Sequence, residues 1–394
     1  MDWSFLIKNK ESINVTTDSR KVTSGSVFVA LKGEHFDGND FVDQARQDGA
    51  AYIISGENAL AELQDLARAW RRELGLPIIG ITGTNGKTTT KELCAAVLST
   101  KYNLYYTQGN LNNQIGVPLT LLNITRAHEM AIVEMGASHP GDIKELVDIA
   151  EPNCGLITNV GRAHLQGFGS FEGVMRTKAE LYDFLRAHGG FCFRNTDNPY
   201  LAQMAGELKT VPYTTGTMPE GTHLVGGYNA ENVSAAMCVG RYFGVSEETA
   251  LAAIRAYVPS NNRSQLVQTD HNTIVVDAYN ANPTSMTAAI EAFDRSPITN
   301  HQSPMPKAYI LGAMRELGDY AHLEHQNIVN MLLERKAEKV LLVGEEYQET
   351  TAPYPVYPNI DALCEALRKE PLSGYTILLK GSRSNQMEKV LPLL

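Results

Sequence analysis

The 394-residue sequence is poor in three things: paired cysteines, long apolar runs and basic charge. Its five cysteines, Cys94, Cys154, Cys192, Cys238 and Cys364, are odd in number, widely spaced and never in a C-x-x-C pair. That pattern excludes a disulfide framework and a zinc knuckle, and it fits a reducing, cytoplasmic setting. Apolar stretches such as 375–379 fall far short of the roughly 20 residues that cross a bilayer, so no membrane insertion is expected. Met1-Asp2-Trp3-Ser4-Phe5 lacks a basic segment followed by an apolar run, so no export signal is expected either. Lys and Arg number 34 against 44 Asp and Glu, a net charge of -10. Without a basic surplus, wrapping of nucleic acid is disfavoured, and small molecules or proteins are the expected partners. Thirty-two Gly and 17 Pro are ordinary proportions, with no low-complexity tract.

What is present is an α/β rhythm. Short apolar runs at 26–31 and 51–54 flank a helical pattern at 41–48, and a charged helix at 57–73 ends in Gly75-Leu76-Pro77, punctuation that suits a domain boundary. Buried-strand candidates follow at 78–82, 130–135, 155–160 and 190–194 with helices between them, as in a parallel sheet. Val258-Pro259-Ser260-Asn261-Asn262 forms a second boundary before strands at 273–277, 308–311, 339–343 and 375–379. The expectation is three consecutive α/β domains, 1–76, 77–258 and 259–394, with a central P-loop parallel-sheet ATPase domain and a C-terminal Rossmann-like domain. At roughly 100 to 200 residues per domain, the length admits two or three.

The most informative stretch runs from the strand Ile78-Ile79-Gly80-Ile81-Thr82 through Gly83-Thr84-Asn85-Gly86 into Lys87-Thr88-Thr89-Thr90. A Gly-rich turn between strand and helix points backbone N–H groups inward, and the helix adds the positive end of its dipole, so phosphate is held largely by the main chain. Lys87 is placed to reach the outer phosphates and Thr88 to ligate Mg²⁺. The strict G-x-x-x-x-G-K-[ST] spacing fails, because Ile81 stands five positions before Gly86. ATP or GTP binding is the reading. No N-K-x-D base-reading motif accompanies the loop, which disfavours a GTPase switch.

Thr82-Gly83-Thr84-Asn85-Gly86-Lys87-Thr88-Thr89 resembles the phosphate loop of the Mur ligases and the related folylpolyglutamate synthases. Asp18-Ser19-Arg20 and Phe28-Val29-Ala30-Leu31-Lys32-Gly33 resemble the family's UDP-sugar domain. Gly109-Asn110-Leu111-Asn112-Asn113-Gln114, Asp277-Ala278-Tyr279-Asn280-Ala281-Asn282-Pro283 and Lys380-Gly381-Ser382-Arg383 resemble the branch that adds D-alanyl-D-alanine. The resemblance covers nearly the whole chain and implies an ATP-dependent amide ligase acting on UDP-N-acetylmuramoyl-tripeptide, monomeric and Mg²⁺-dependent. Gly83, Thr84, Asn85, Gly86, Lys87, Thr88, Thr89, Asn229, Asn232, Arg263, Asp277 and Asn280 would then serve ATP. Ser19, Arg20, Lys32, Asn110, Asn112, Asn113, Lys380, Ser382 and Arg383 would serve the other substrates. Glu134, at the end of the 130–135 strand, is placed where ligands of open α/β sheets bind; with Thr88 and His164 it would hold metal. The resemblance makes Lys178 a lysine that reacts with CO₂ to give a carbamate able to ligate metal.

Other readings remain: a different Mur ligase, a folylpolyglutamate-synthase-like ligase, or a catalytically impaired nucleotide-binding homologue. Two departures from the family pattern feed the last of these. Only a short link separates Thr215 from His223, and Ala313 stands in Leu311-Gly312-Ala313-Met314 where the family commonly has aspartate.

Overall fold

The computed structural model describes residues 2–259, 262–295, 299–300 and 303–394; the boundary residues Ser260 and Asn261 lie outside the described residues. Three main sheets follow one another along the chain. The first is small and parallel, with β1 (Val15–Thr16), β2 (Val27–Val29) and β3 (Tyr52–Ile54) in sequential order. The second contains β4 (Ile78–Thr82), β5 (Leu104–Tyr106), β6 (Met130–Glu134), β7 (Cys154–Ile157), β8 (Phe191–Asn195) and β9 (Thr210–Tyr213), all parallel, ordered β5-β6-β4-β7-β8-β9. The third contains β10 (Gln265–Gln268), β11 (Thr273–Asp277), β14 (Lys307–Gly312), β15 (Lys339–Val343), β16 (Val356–Tyr357) and β17 (Thr376–Lys380), ordered β10-β11-β17-β14-β15-β16, with only β10 antiparallel. A two-residue ribbon, β12 (Thr299–Asn300) with β13 (Ser303–Pro304), sits apart from these sheets.

Burial explains why the inner strands were legible. β4, β6, β7 and β17 are buried at every residue, as continuous apolar runs covered by helices on both faces require. The edge strands β5, β9 and β10 are half-buried and mixed in sequence, so their hydrophobic pattern is weak. The helix after the phosphate loop runs Lys87–Leu98 and is buried along most of its length.

The charged 57–73 segment forms the helix Ala59–Leu74, and its apolar stripe of Leu63, Leu66, Ala67 and Trp70 is fully buried. Trp70 donates its indole N–H to Ile124 O, and Arg71 donates to the carbonyls of Ala150 and Glu151. One continuous core therefore runs from Trp3 and Val29 through this helix to Val133 and Leu185. The third sheet has its own two core clusters, one on each face. Gly75, at φ +66, ends the helix in the left-handed conformation that glycine adopts without a Cβ penalty.

Between β9 and the helix Asn229–Tyr242, residues 214–228 form neither helix nor strand, so the short link joins the two elements directly. Among the described residues, no helix is long and apolar enough to cross a membrane.

Candidate functional site

β4 lies between β6 and β7, and the phosphate loop emerges at the carboxyl edge where all three end. The loop is anchored on the β7 side. Thr84 N donates to Asn159 O, Asn85 N donates to Asn159 Oδ1, and the Thr158 hydroxyl donates to Asn85 O at 2.6 Å. Gly83 has φ +142, and a Cβ there would lie 2.0 Å from Thr158 Oγ1, so no other residue fits. Lys87 folds back over the loop and donates to Gly83 O at 2.8 Å and Thr84 O at 3.0 Å. Burial lowers its pKa, while the Glu134 carboxylate opposes that shift. Among the described residues the lysine thus has carbonyl partners and no bonded carboxylate, and an arriving phosphate would supply the missing anion.

Glu134 is 1% exposed, not solvated. Thr88 Oγ1 donates to its carboxylate at 2.9 Å, and Asn112 Nδ2 donates at 2.9 Å. The backbone N–H of Glu134 donates to Thr107 Oγ1. Thr88 and Glu134 together offer the hard oxygen donors that suit Mg²⁺. Among the described residues, no cluster of three His, Cys, Asp or Glu forms a closed cage, so a cation here would need phosphate and water oxygens as further ligands.

Lys178 sits in the helix Phe171–Ala187 at 2% exposure, with Nζ 5.4 Å from the Phe168 ring centroid. No carboxylate lies within ion-pair distance of Nζ among the described residues. Desolvation pushes its pKa well below the ordinary lysine value, and the charge of Lys87 lowers it further. An uncharged amine is a nucleophile, which is the state that addition to CO₂ requires. His164 packs edge-on to the same Phe168 ring, with ring centroids 6.2 Å apart.

A cavity of about 760 Å³ joins the rims of the second and third sheets. It is lined by Thr84, Asn85, Gly86, Lys87, Thr88, Thr89, Asn110, Asn112, Asn113, Glu134 and His164 from one side. Asn229, Asn232, Arg263, Asp277, Asn280 and Lys380 also face it. Arg263 stacks on the Tyr279 ring at 3.7 Å, and its buried Nε has no hydrogen-bond partner among the described residues, which leaves a donor for an anion.

Several expected roles meet a different geometry. Asn232 accepts from the Thr90 hydroxyl and donates to Asn229 Oδ1, and Asn229 donates to Val225 O, so both amides are occupied inside the fold. Neither caps its helix, whose N-cap is Tyr228. Lys380 is 2% exposed and paired with Asp277 at 2.6 Å, a partner that already neutralises it. The Ser382 N–H donates to Ala313 O, and Ser382 Oγ accepts from Arg315 N. Arg383 is exposed and bound to Glu388, outside the cavity. The Lys380 and Ser382 side chains are therefore engaged inside the fold. Ser19 and Arg20 lie in a 3-10 turn, Ser19–Lys21, and Lys32 in a bridge to Asp37 beyond β2, all away from the cavity lining; Arg20 donates to Asp18 through Nε and Nη2, and Lys32 pairs loosely with Asp37 at 3.6 Å.

Ala313 is fully buried behind the rim and does not line the cavity. Its N–H donates to Val343 O and its carbonyl accepts from Asn385 Nδ2.

Sequence reasoning missed three groups that join the sheets. Asn282 Nδ2 donates to Asn85 Oδ1 at 2.8 Å, Thr284 Oγ1 accepts from Arg162 N, and Glu316 contacts His164 Nδ1. His164 holds the Glu316 carboxyl below the usual carboxylate range. Asn282 was within a quoted motif, but nothing in the pattern marks a contact spanning 197 residues.

The comparisons with known proteins agree with this geometry. Family models match the Mur ligase family catalytic domain at residues 13–94, the Mur ligase middle domain at 81–222 and the Mur ligase glutamate ligase domain at 262–383. The chain is 34% identical to the UDP-N-acetylmuramoyl-tripeptide–D-alanyl-D-alanine ligase of Bacillus subtilis, covering 96% of this chain and 92% of the relative. It is 32% identical to the enzyme of the same name from Escherichia coli, with 96% and 93% covered. The Bacillus alignment spans 428 positions, more than this chain has residues, so the relative carries stretches absent here. Among solved structures, the MurF ligase of Thermotoga maritima in complex with ADP superposes with a TM-score of 0.85 at 28% identity, covering 98% of both chains. MurF from Acinetobacter baumannii gives 0.83 at 28% identity, with 96% and 92% covered. From the phosphate loop to the paired rims of its sheets, this chain belongs to the Mur ligase family.

Proposed function

We infer that the protein is an ATP-dependent ligase that joins D-alanyl-D-alanine to UDP-N-acetylmuramoyl-tripeptide, a step of peptidoglycan precursor synthesis. The observation that supports it most is the single cavity containing the Gly-rich loop, Lys87, the Thr88–Glu134 pair and Arg263. Such an arrangement collects phosphate-binding groups from two sheets around one volume. We assign residues 1–76 to the UDP end of the acceptor, 77–258 to ATP, and 259–394 to the incoming dipeptide and part of ATP.

In the first step the acceptor carboxylate attacks the γ-phosphoryl group, and ADP leaves. Loop N–H groups and the Lys87 ammonium stabilise the charge that gathers on the phosphoryl oxygens. Arg263 adds a donor from the third sheet. A Mg²⁺ ion, held by Thr88 and Glu134, would neutralise phosphate charge. In the second step the dipeptide amine attacks the acyl carbon through a tetrahedral intermediate, and phosphate departs. Acyl phosphates hydrolyse in water, so the rims of the second and third sheets must meet around the reacting atoms. Burial favours the uncharged form of Lys178, the form whose amine attacks CO₂ and releases a proton to give an anionic carbamate. We place the reaction in the cytoplasm, with the protein acting as a monomer.

The test is phosphate release from ATP with Mg²⁺. It should require UDP-N-acetylmuramoyl-tripeptide and D-alanyl-D-alanine together. Equal release with glycine in place of the dipeptide, or none with all substrates saturating, would reject the reading. Lys178→Ala should lose activity and regain part of it with short carboxylic acids; full activity without rescue removes the carbamate.

A further inference from the structure

His164 and Glu316 face each other across the junction of the second and third sheets, and both line the cavity. Each stands in the left-handed backbone region, His164 at φ +50 and Glu316 at φ +62. That region is disfavoured for residues other than glycine, so two such residues in direct contact mark a strained, over-determined junction. The surroundings supply the determination. Gln166 N donates to Glu316 O at 3.2 Å, Arg162 N donates to Thr284 Oγ1, and Arg162 Nη1 pairs with the buried Glu324 at 2.8 Å. Among the described residues, Glu316 is the sole polar partner of His164 Nδ1.

We propose that Glu316 is a positioning residue: supplied by the third sheet's rim, it fixes the ring of His164, so that the phosphoryl-transfer site is complete only when the two sheets are docked. A ring held through Nδ1 presents Nε2 in one direction, the usual way in which the bond made by one imidazole nitrogen sets the role of the other. With Glu316 withdrawn, His164 would swing freely and the nucleotide would be bound without being committed to transfer. This inference rests on the ligase reading and adds to it the residue through which the third sheet acts on His164.

The experiment separates the two. Wild-type protein is first assayed for phosphate release dependent on both substrates; its absence sinks the ligase reading itself. In active protein, Glu316→Gln should lower kcat about ten- to hundredfold, the size expected from losing a charge-assisted hydrogen bond. KM for D-alanyl-D-alanine and ADP affinity by titration should stay within about twofold. Glu316→Asp should recover part of the rate. Because Glu316 acts through His164, the Glu316→Gln/His164→Gln double variant should be no slower than His164→Gln alone. The proposal is overturned by unchanged kcat in Glu316→Gln, by multiplicative losses in the double variant, or by a parallel loss of ADP affinity.

Discussion

β4 and β17 occupy equivalent places near the middle of a six-stranded sheet, and each has a lysine at its carboxyl rim, Lys87 opening the helix after β4 and Lys380 closing β17. The two lysines have opposite circumstances. Lys87 rests on two carbonyl oxygens of its own loop, while Lys380 is locked to the Asp277 carboxylate. A carbonyl satisfies a proton donor and leaves the charge largely uncompensated; a carboxylate cancels it. Position on a sheet and residue type therefore do not make a phosphate-binding cation. The deciding feature is whether the counter-ion comes from the protein or from a ligand.

The sharpest way to break this contrast is to remove each lysine. Lys87→Met should reduce kcat about a thousandfold, within the range seen when a preorganised electrostatic contact is lost, and leave thermal unfolding nearly unchanged. Retained turnover would detach the phosphate loop from the reaction. Lys380→Met should instead cost about 3 kcal/mol in urea unfolding, because it strands a largely buried carboxylate. Adding Asp277→Asn should restore most of that loss. If Lys380→Met unfolds like the wild type, the two loops are more alike than their geometry implies.

A smaller effect should appear with pH on the same C-terminal rim. His325 is fully buried, and its Nε2 accepts the N–H of Met314 at 3.0 Å. Burial lowers its pKa from the ordinary 6.5, so the unfolded chain takes up the proton first. Its contribution to stability is complete above pH 6.5 and declines as pH falls through 6.5 toward the lower folded value. Unfolding midpoints measured from pH 8 to 5 should show a fall that His325→Gln flattens. The smallest effect belongs to Arg383→Ala: the pair with Glu388 is solvent-exposed, so the unfolding free energy should change by less than about 0.5 kcal/mol. Three residues along the chain thus separate a structural ion pair from a dispensable one.

Legibility in the sequence followed the same division. Strands 78–82, 273–277 and 339–343 match the observed elements residue for residue, because buried parallel strands announce themselves as unbroken apolar runs. The Gly83 to Thr88 loop was readable because its donors are contiguous. Lys178 was not readable from its own surroundings in the sequence, since its burial depends on Phe168 and on helix packing. Nor was Glu316, whose meaning lies in a contact with a residue 152 positions earlier. The short strands β5, β9 and β10 were missed for want of any apolar alternation.

The helix Ala59–Leu74 bears on how such a protein can diversify. Trp70 and Arg71 stitch the first sheet onto carbonyls at 124, 150 and 151, so the seam is interior rather than a surface joint. A graft of residues 1–76 from another ligase would leave an indole, a guanidinium and three carbonyls to be matched afresh. Substitution of exposed residues such as Arg20 and Lys32 disturbs none of these partners. The C-terminal sheet, with a core cluster on each of its faces, meets the second sheet through polar contacts such as Asn282–Asn85 and Arg162–Glu324 rather than through a shared apolar core.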